Sequence, residues 1–115
     1  MKKYHTKRII AFIGDDKEML HKMITIFLSN GPMMLNIIQE SLLIKDYEKL
    51  SFYAHKLKTS IDHLSIESLT TEIREIEKYA KDKVNLDLLP ALVQKLDKEL
   101  QETMVEIKQD FNITS

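Results

Sequence analysis

The chain contains no cysteine. Disulfides, thiolate metal sites and cysteine nucleophiles are therefore excluded, and nothing asks for an oxidising compartment. Glycine and proline are scarce, with two of each in 115 residues. Turns that join strands use glycine, asparagine and proline in quantity, so this scarcity argues against a strand-rich fold. Long apolar runs are missing as well: "IIAFI", from Ile9 to Ile13, is too short for a signal h-region or a membrane span. Nor does charge of one sign dominate. Lysine and arginine number 17 against 18 aspartates and glutamates, a formal net charge of −1, whereas a nucleic-acid domain usually shows a basic excess. The N-terminal "MKKYHTKR" is basic but short, and reads as a solvated terminus. The expectation is a cytoplasmic protein with neither nucleic acid nor membrane as partner.

What is present is leucine, isoleucine, lysine and glutamate, an all-helical composition. The length suits one domain over residues 1–115, a run-in at 1–13 and a bundle at 14–110, burying roughly two thirds of the unfolded surface. Asp15 and Asp16 can cap a first helix with its stripe at Met19, Leu20, Met23, Ile24 and Phe27. "SNGP", Ser29 to Pro32, predicts a break, with Gly31 after one helix and Pro32 in the first turn of the next, which runs to about Ile44 over Met34, Leu35, Ile38 and Leu42. Asp46 suits the N-cap of a helix from Tyr47 to about Asp62, and Ser65 the cap of another over Ile66–Ala80, with its stripe at Ile66, Leu69, Ile73, Ile76 and Ala80. "KDKVN" reads as a loop. Asp87 then caps a last helix with Pro90 in its first turn and a stripe at Leu89, Leu92, Val93, Leu96, Leu100, Met104 and Ile107. Arg8–Gly14 is either a short separate helix or a run-in to the first. Short connections favour antiparallel neighbours, so the expected fold is an all-α, up-and-down antiparallel four-helix bundle with an additional N-terminal helical segment.

The stretch "YAHKLKTSIDHLS", Tyr53 to Ser65, holds two of the four histidines. At about 100° per residue, Leu50, Ala54, Leu57, Ile61 and Leu64 fall on one continuous arc that must face the core, with Tyr53 at its border. His55 points almost directly away from that arc, on a side shared with Glu48, Ser51, Phe52, Lys58, Thr59 and Asp62. It is therefore expected in water near the middle of the helix. His63 falls where the helix ends, and His21 and His5 read as solvated and inert.

A neutral imidazole is a good nucleophile towards phosphorus, and imidazole titrates near 6.5 in water. Lys58, three residues on, shares the face of His55. A cation there disfavours a charged ring beside it and becomes a favourable partner once a phosphoryl group arrives. Lys56 is less well placed. No Ser/His/Asp arrangement, glycine-rich phosphate loop or second histidine at metal-ligand spacing accompanies His55, so neither a metal nor independent catalysis is expected. One exposed nucleophile beside one cation, with no means to bind a nucleotide, describes a carrier whose chemistry is supplied by partners.

"AHKLKTSIDHLSIESLTTEIREIE", Ala54 to Glu77, resembles the signature of histidine-containing phosphotransfer (HPt) domains, and "FIGDDKEMLHKMITIFLSNGPMMLNIIQESLLIKDYEKL" is similar to the half that precedes it. The resemblance spans roughly Phe12 to Ile107. It implies a helical bundle with no enzymatic activity of its own, which accepts a phosphoryl group on histidine from the aspartyl phosphate of a receiver domain and passes it to another. It implies His55 as the acceptor, Lys58 as the lysine that neutralises the phosphoryl group, and Leu57 as a buried leucine. Magnesium and the catalytic groups belong to the receiver, so no cofactor is expected here. Response-regulator receiver domains are the implied partners, with a hybrid histidine kinase as a further one, and the carrier is expected to be a monomer.

Two departures from the family pattern stand out. Thr59 occupies a position where glycine usually leaves room for a receiver's loop; its hydroxyl can back-bond to the carbonyl of His55 or reach a phosphoryl oxygen. Ser65 replaces a second frequent glycine. Ser51, Phe52, Lys56 and Asp62 are the candidate docking residues around His55, with Phe52 either covered by the neighbouring helix or left out as an anchor. A degenerate relative that binds receivers without exchanging phosphoryl groups is the alternative, with Thr59 blocking close approach. The helices of a sensor kinase fit less well, because Lys56 stands where those carry an acidic base.

Overall fold

A computed structural model describes residues 2–113. Met1, Thr114 and Ser115, within the expected domain span, lie outside the described residues. The described residues form five α-helices and no strand: α1 (Lys7–Ile13), α2 (Lys17–Leu43), α3 (Tyr47–His63), α4 (Thr70–Asp82) and α5 (Leu89–Asp110), with 3-10 turns at Glu67–Leu69 and Leu86–Leu88. None of these helices is long and apolar enough to cross a membrane. Helix α2 packs on α3, α3 on α4, α4 on α5 and α5 back on α2, while α1 lies mainly against α2 and reaches the end of α3 through Arg8. Ile24, Ile38, Leu50, Leu57, Ile73, Leu96 and Leu100 fill the centre with no exposure.

The expected break at "SNGP" is absent. Helix α2 runs unbroken for 27 residues with Pro32 inside it, about 40 Å at 1.5 Å per residue, close to the 43 Å long axis of the molecule. Gly31 is buried, and a Cβ built on it would stand 3.6 Å from the Phe27 ring and the Met104 sulfur. Those are ordinary contact distances, so Gly31 is a helical residue facing α5 and marks no turn. Pro32 is exposed. A proline inside a helix costs about 3 kcal/mol through a lost hydrogen bond and a ring clash; here apolar burial on both sides of it, at Ile24, Phe27, Met34, Leu35 and Ile38, outweighs the local signal. Of the stripe expected before the break, Ile24 and Phe27 are buried but Met19 is 42% exposed.

Ser65 caps nothing. It adopts left-handed backbone, φ 50°, immediately after α3. Its N–H bonds the Asp62 carbonyl and the Ile66 N–H bonds the Ile61 carbonyl, the paired closure of a Schellman ending. Helices α2 and α5 close in the same way at Lys45 (φ 59°) and Asn112 (φ 53°). With so few glycines, left-handed positions fall to other residues. Helix α4 then starts after a 3-10 turn and extends through Lys81 and Asp82, so only the rest of "KDKVN" is loop. Asp87 lies inside the second 3-10 turn and no side chain caps α5, although Pro90 does sit in its first turn.

The N-terminus is not a solvated tail. Tyr4 is buried and its hydroxyl donates to Asp110 at 2.6 Å. Lys2 pairs with Asp110, the Lys3 ammonium reaches Glu99 at 2.8 Å, and the Lys3 N–H donates to Glu106. The His5 N–H bonds the Leu64 carbonyl at 2.8 Å. A basic strap thus crosses an acidic stripe on α5 and ties it to the end of α3.

Candidate functional site

Asp46 starts α3 by accepting the Lys49 N–H at 3.1 Å. The apolar arc then fixes rotation of the helix: Leu50, Ala54, Leu57 and Ile61 are all fully buried, and Leu64 follows them at 2%. That burial leaves His55 on the outer side, its side chain 61% exposed.

The residue that completes the site comes from α4. Glu77 Oε2 lies 2.7 Å from His55 Nδ1, and Glu77 Oε1 lies 2.8 Å from Lys58 Nζ. An ionised carboxylate only accepts hydrogen bonds, so Nδ1 is the nitrogen that donates to Glu77, and Nε2 has no hydrogen-bond partner among the described residues. Partial burial works against the Glu77 charge, but hydrogen bonds and charge from Lys58 and His55 outweigh it and hold the carboxyl below its ordinary value. Lys58 is thus a half-buried cation already paired with Glu77, rather than one free to act on the ring.

Sequence reading missed Glu77. Its position carried a signal: in α4 it lies about 40° from Ile73 by helical rotation, at the border of the buried stripe of Ile73, Ile76 and Ala80. A carboxylate at the edge of a core stripe is directed at the neighbouring helix, but the partner on that helix is not visible from periodicity.

The other expected residues distribute around this centre. Thr59 is exposed, and its hydroxyl lies 3.5 Å from the His55 carbonyl, a long back-bond within α3. Phe52 is 55% exposed; it meets Tyr53 edge-on at 5.2 Å, and Lys56 Nζ stands 4.9 Å above its ring. Ser51 is half-buried. Asp62 is drawn away from solvent: Arg74 of α4 donates to its carboxylate at 2.8 Å and Arg8 to its carbonyl at 3.3 Å. His63, His21 and His5 are exposed, and none of them joins the site.

The sequence model of the Hpt domain matches residues 22–108, most of the chain. The chain belongs to the Hpt domain family. Hpt domains are phosphocarrier modules rather than enzymes, and they act with receiver domains and histidine kinases of two-component phosphorelays. The matched span takes in all of α3 and α4, so both helices that build the His55–Glu77–Lys58 cluster lie within the Hpt region. No curated protein and no solved structure matches the chain.

Proposed function

We propose that this Hpt domain is a phosphorelay carrier with His55 as its phospho-acceptor, and that Nε2 is the accepting atom. The observation that carries this reading is Nδ1 donating to Glu77 on an exposed ring, with Nε2 unpartnered among the described residues. In the neutral ring that nitrogen bears the lone pair. In the forward step that lone pair attacks the phosphorus of a receiver's aspartyl phosphate. The N–P bond forms as the P–O bond breaks, and the aspartate leaves as a carboxylate with the bonding pair. The ring then carries positive charge, with its Nδ1–H still on Glu77, whose carboxylate offsets that charge. Lys58 exchanges Glu77 for a phosphoryl oxygen. In the onward step a second receiver's aspartate attacks the phosphorus, the N–P bond breaks, and Nε2 recovers its lone pair. Magnesium and its ligands reside in the receiver, so the carrier has no cofactor of its own and is not an enzyme.

The rest of the reading is a cytoplasmic, monomeric single domain, its four long helices running up and down with α1 added. Ser51, Phe52, Lys56 and Asp62 border the approach to His55, and a hybrid histidine kinase is a further source of the receiver. The deciding experiment is transfer of radiolabelled phosphate from a phosphorylated receiver domain in magnesium. Label on the protein should be acid-labile and base-stable, and His55→Gln should abolish it while leaving the helical circular dichroism spectrum intact. Label retained by that variant would refute the assignment. Exposure of Thr59 beside His55 supports the second reading, an adaptor that binds receivers without exchange. Thr59→Gly then yields a large gain in transfer rate, whereas an unchanged rate removes this alternative.

A further inference from the structure

The outer face of α4 carries Arg74, Lys78 and Lys81, whose spacing places them on one stripe within about 60° of rotation. All three are exposed. With Glu77 and Asp82 they line a shallow depression beside the site. The charges there are unequally matched. Glu77 is held by His55 and Lys58, and Arg74 is held by Asp62. Lys78, Lys81 and Lys56 make no ion pair among the described residues, and Asp82 is the one carboxylate of the depression that remains unengaged. On α5 the reverse holds, since its acidic stripe is covered by Lys2 and Lys3. Around the paired His55–Glu77–Lys58 cluster, Lys56, Lys78 and Lys81 thus stand unpaired among the described residues against the unpaired carboxylates of Asp82 and, on the His55 side of α3, Glu48, a local balance that remains positive.

We propose that Lys78 and Lys81, with Lys56 on α3, form a cationic rim that draws in the acidic phosphorylation site of the receiver domain, bringing it over α4. The inference rests on His55 being the acceptor and adds the surface that guides its partner. A receiver's phosphorylation site is anionic on chemical grounds: a phosphoryl dianion and the carboxylates that hold magnesium together outnumber the two positive charges of one ion. Unpaired lysines on flexible stems suit long-range attraction better than fixed contact, and complementary charge of this kind acts mainly on the association rate.

The test measures the second-order rate of phosphoryl transfer from a phosphorylated receiver domain. It compares wild type, Lys78→Gln/Lys81→Gln and Lys78→Glu/Lys81→Glu at ~20 mM and ~1 M salt, the latter shrinking the screening length to ~3 Å. At low salt the neutralised pair should be about three- to tenfold slower and the reversed pair slower still, with all three within about twofold at high salt. Equal rates at low salt, or a deficit that persists undiminished at high salt, would overturn the inference. Absence of label on wild type overturns the acceptor reading and this one with it. Label with a charge-insensitive rate overturns this one alone.

Discussion

Replacing Glu77 with glutamine separates the charge of that residue from its shape. The variant keeps an acceptor oxygen near His55 Nδ1 but removes the negative charge that now receives hydrogen bonds at 2.7 Å from the ring and 2.8 Å from Lys58. Hydrogen bonds to charged groups contribute about 1.5–3 kcal/mol against about 0.5–1.5 for neutral pairs, a loss of roughly 1–1.5 kcal/mol at Nδ1. The amide also offers a donor, so the ring can take the opposite tautomer and turn an N–H, not a lone pair, towards the incoming phosphorus. At ~1.4 kcal/mol per factor of ten, the rate of phosphoryl uptake should fall about five- to tenfold. Phosphoramidate, a small donor, isolates this effect from receiver docking, and the phosphohistidine formed can be followed by phosphorus NMR. Lys58 released from Glu77 acts in the other direction by reaching the phosphoryl group. The same replacement in a Lys58→Met background removes that compensation and should show the full slowing. Nitrogen NMR of the imidazole reads the tautomer directly. An unchanged uptake rate in both backgrounds, with Nδ1 still protonated, would refute the orienting role of Glu77.

Two further outcomes concern the fold. Ser65→Gly should stabilise the protein by about 0.5–1 kcal/mol, since a side chain in the left-handed region costs roughly 1–2 kcal/mol and glycine gives back part of that as entropy; the melting midpoint should rise by roughly 3–6 °C, and a fall would contradict the left-handed assignment. Acid should loosen the strap. Lys2 and Tyr4 hold the Asp110 carboxyl below its ordinary 3.8, and Lys3 holds Glu99 below 4.5. Depressed folded-state values mean that the stabilisation is complete above those ordinary values and is lost as pH falls through the lower, folded ones. The melting midpoint should therefore drop as pH is lowered below this range, and less so in Lys3→Ala than in wild type. Equal acid sensitivity in the two proteins would dissociate the strap from the effect.

Helix α3 was readable from sequence because its apolar and polar positions segregate sharply. Leu50, Ala54, Leu57 and Ile61 are as buried as their angles require, and His55 is as exposed. At "SNGP" the local signals of Gly31 and Pro32 are strong, while the burial of Ile24, Phe27, Met34, Leu35 and Ile38 that outweighs them depends on the other helices. Ser65 departs from its expected capping role for a different reason. Serine favours N-caps, but whether the residue begins one helix or closes another depends on where the Asp62 and Ile61 carbonyls find their donors. The site was half legible: His55 and Lys58 share one helix face, whereas Glu77 reaches them from a separate helix, and only the α3–α4 interface sets that register.

The strap makes contacts between residues about a hundred positions apart in the sequence. Tyr4 has no partner for its hydroxyl until Asp110 is in place, and Lys3 needs Glu99 and Glu106. The earliest-made of these residues must therefore wait for the latest-made ones. Such sequence-distant contacts delay completion and make it cooperative. Without α5, Lys2, Lys3 and Tyr4 lack the carboxylates on which they close. His55 and Glu77 both precede α5 in the sequence, but Leu96 and Leu100 of α5 belong to the core that α3 and α4 share, so one helix completes both the strap and the ground beneath the phosphoryl site.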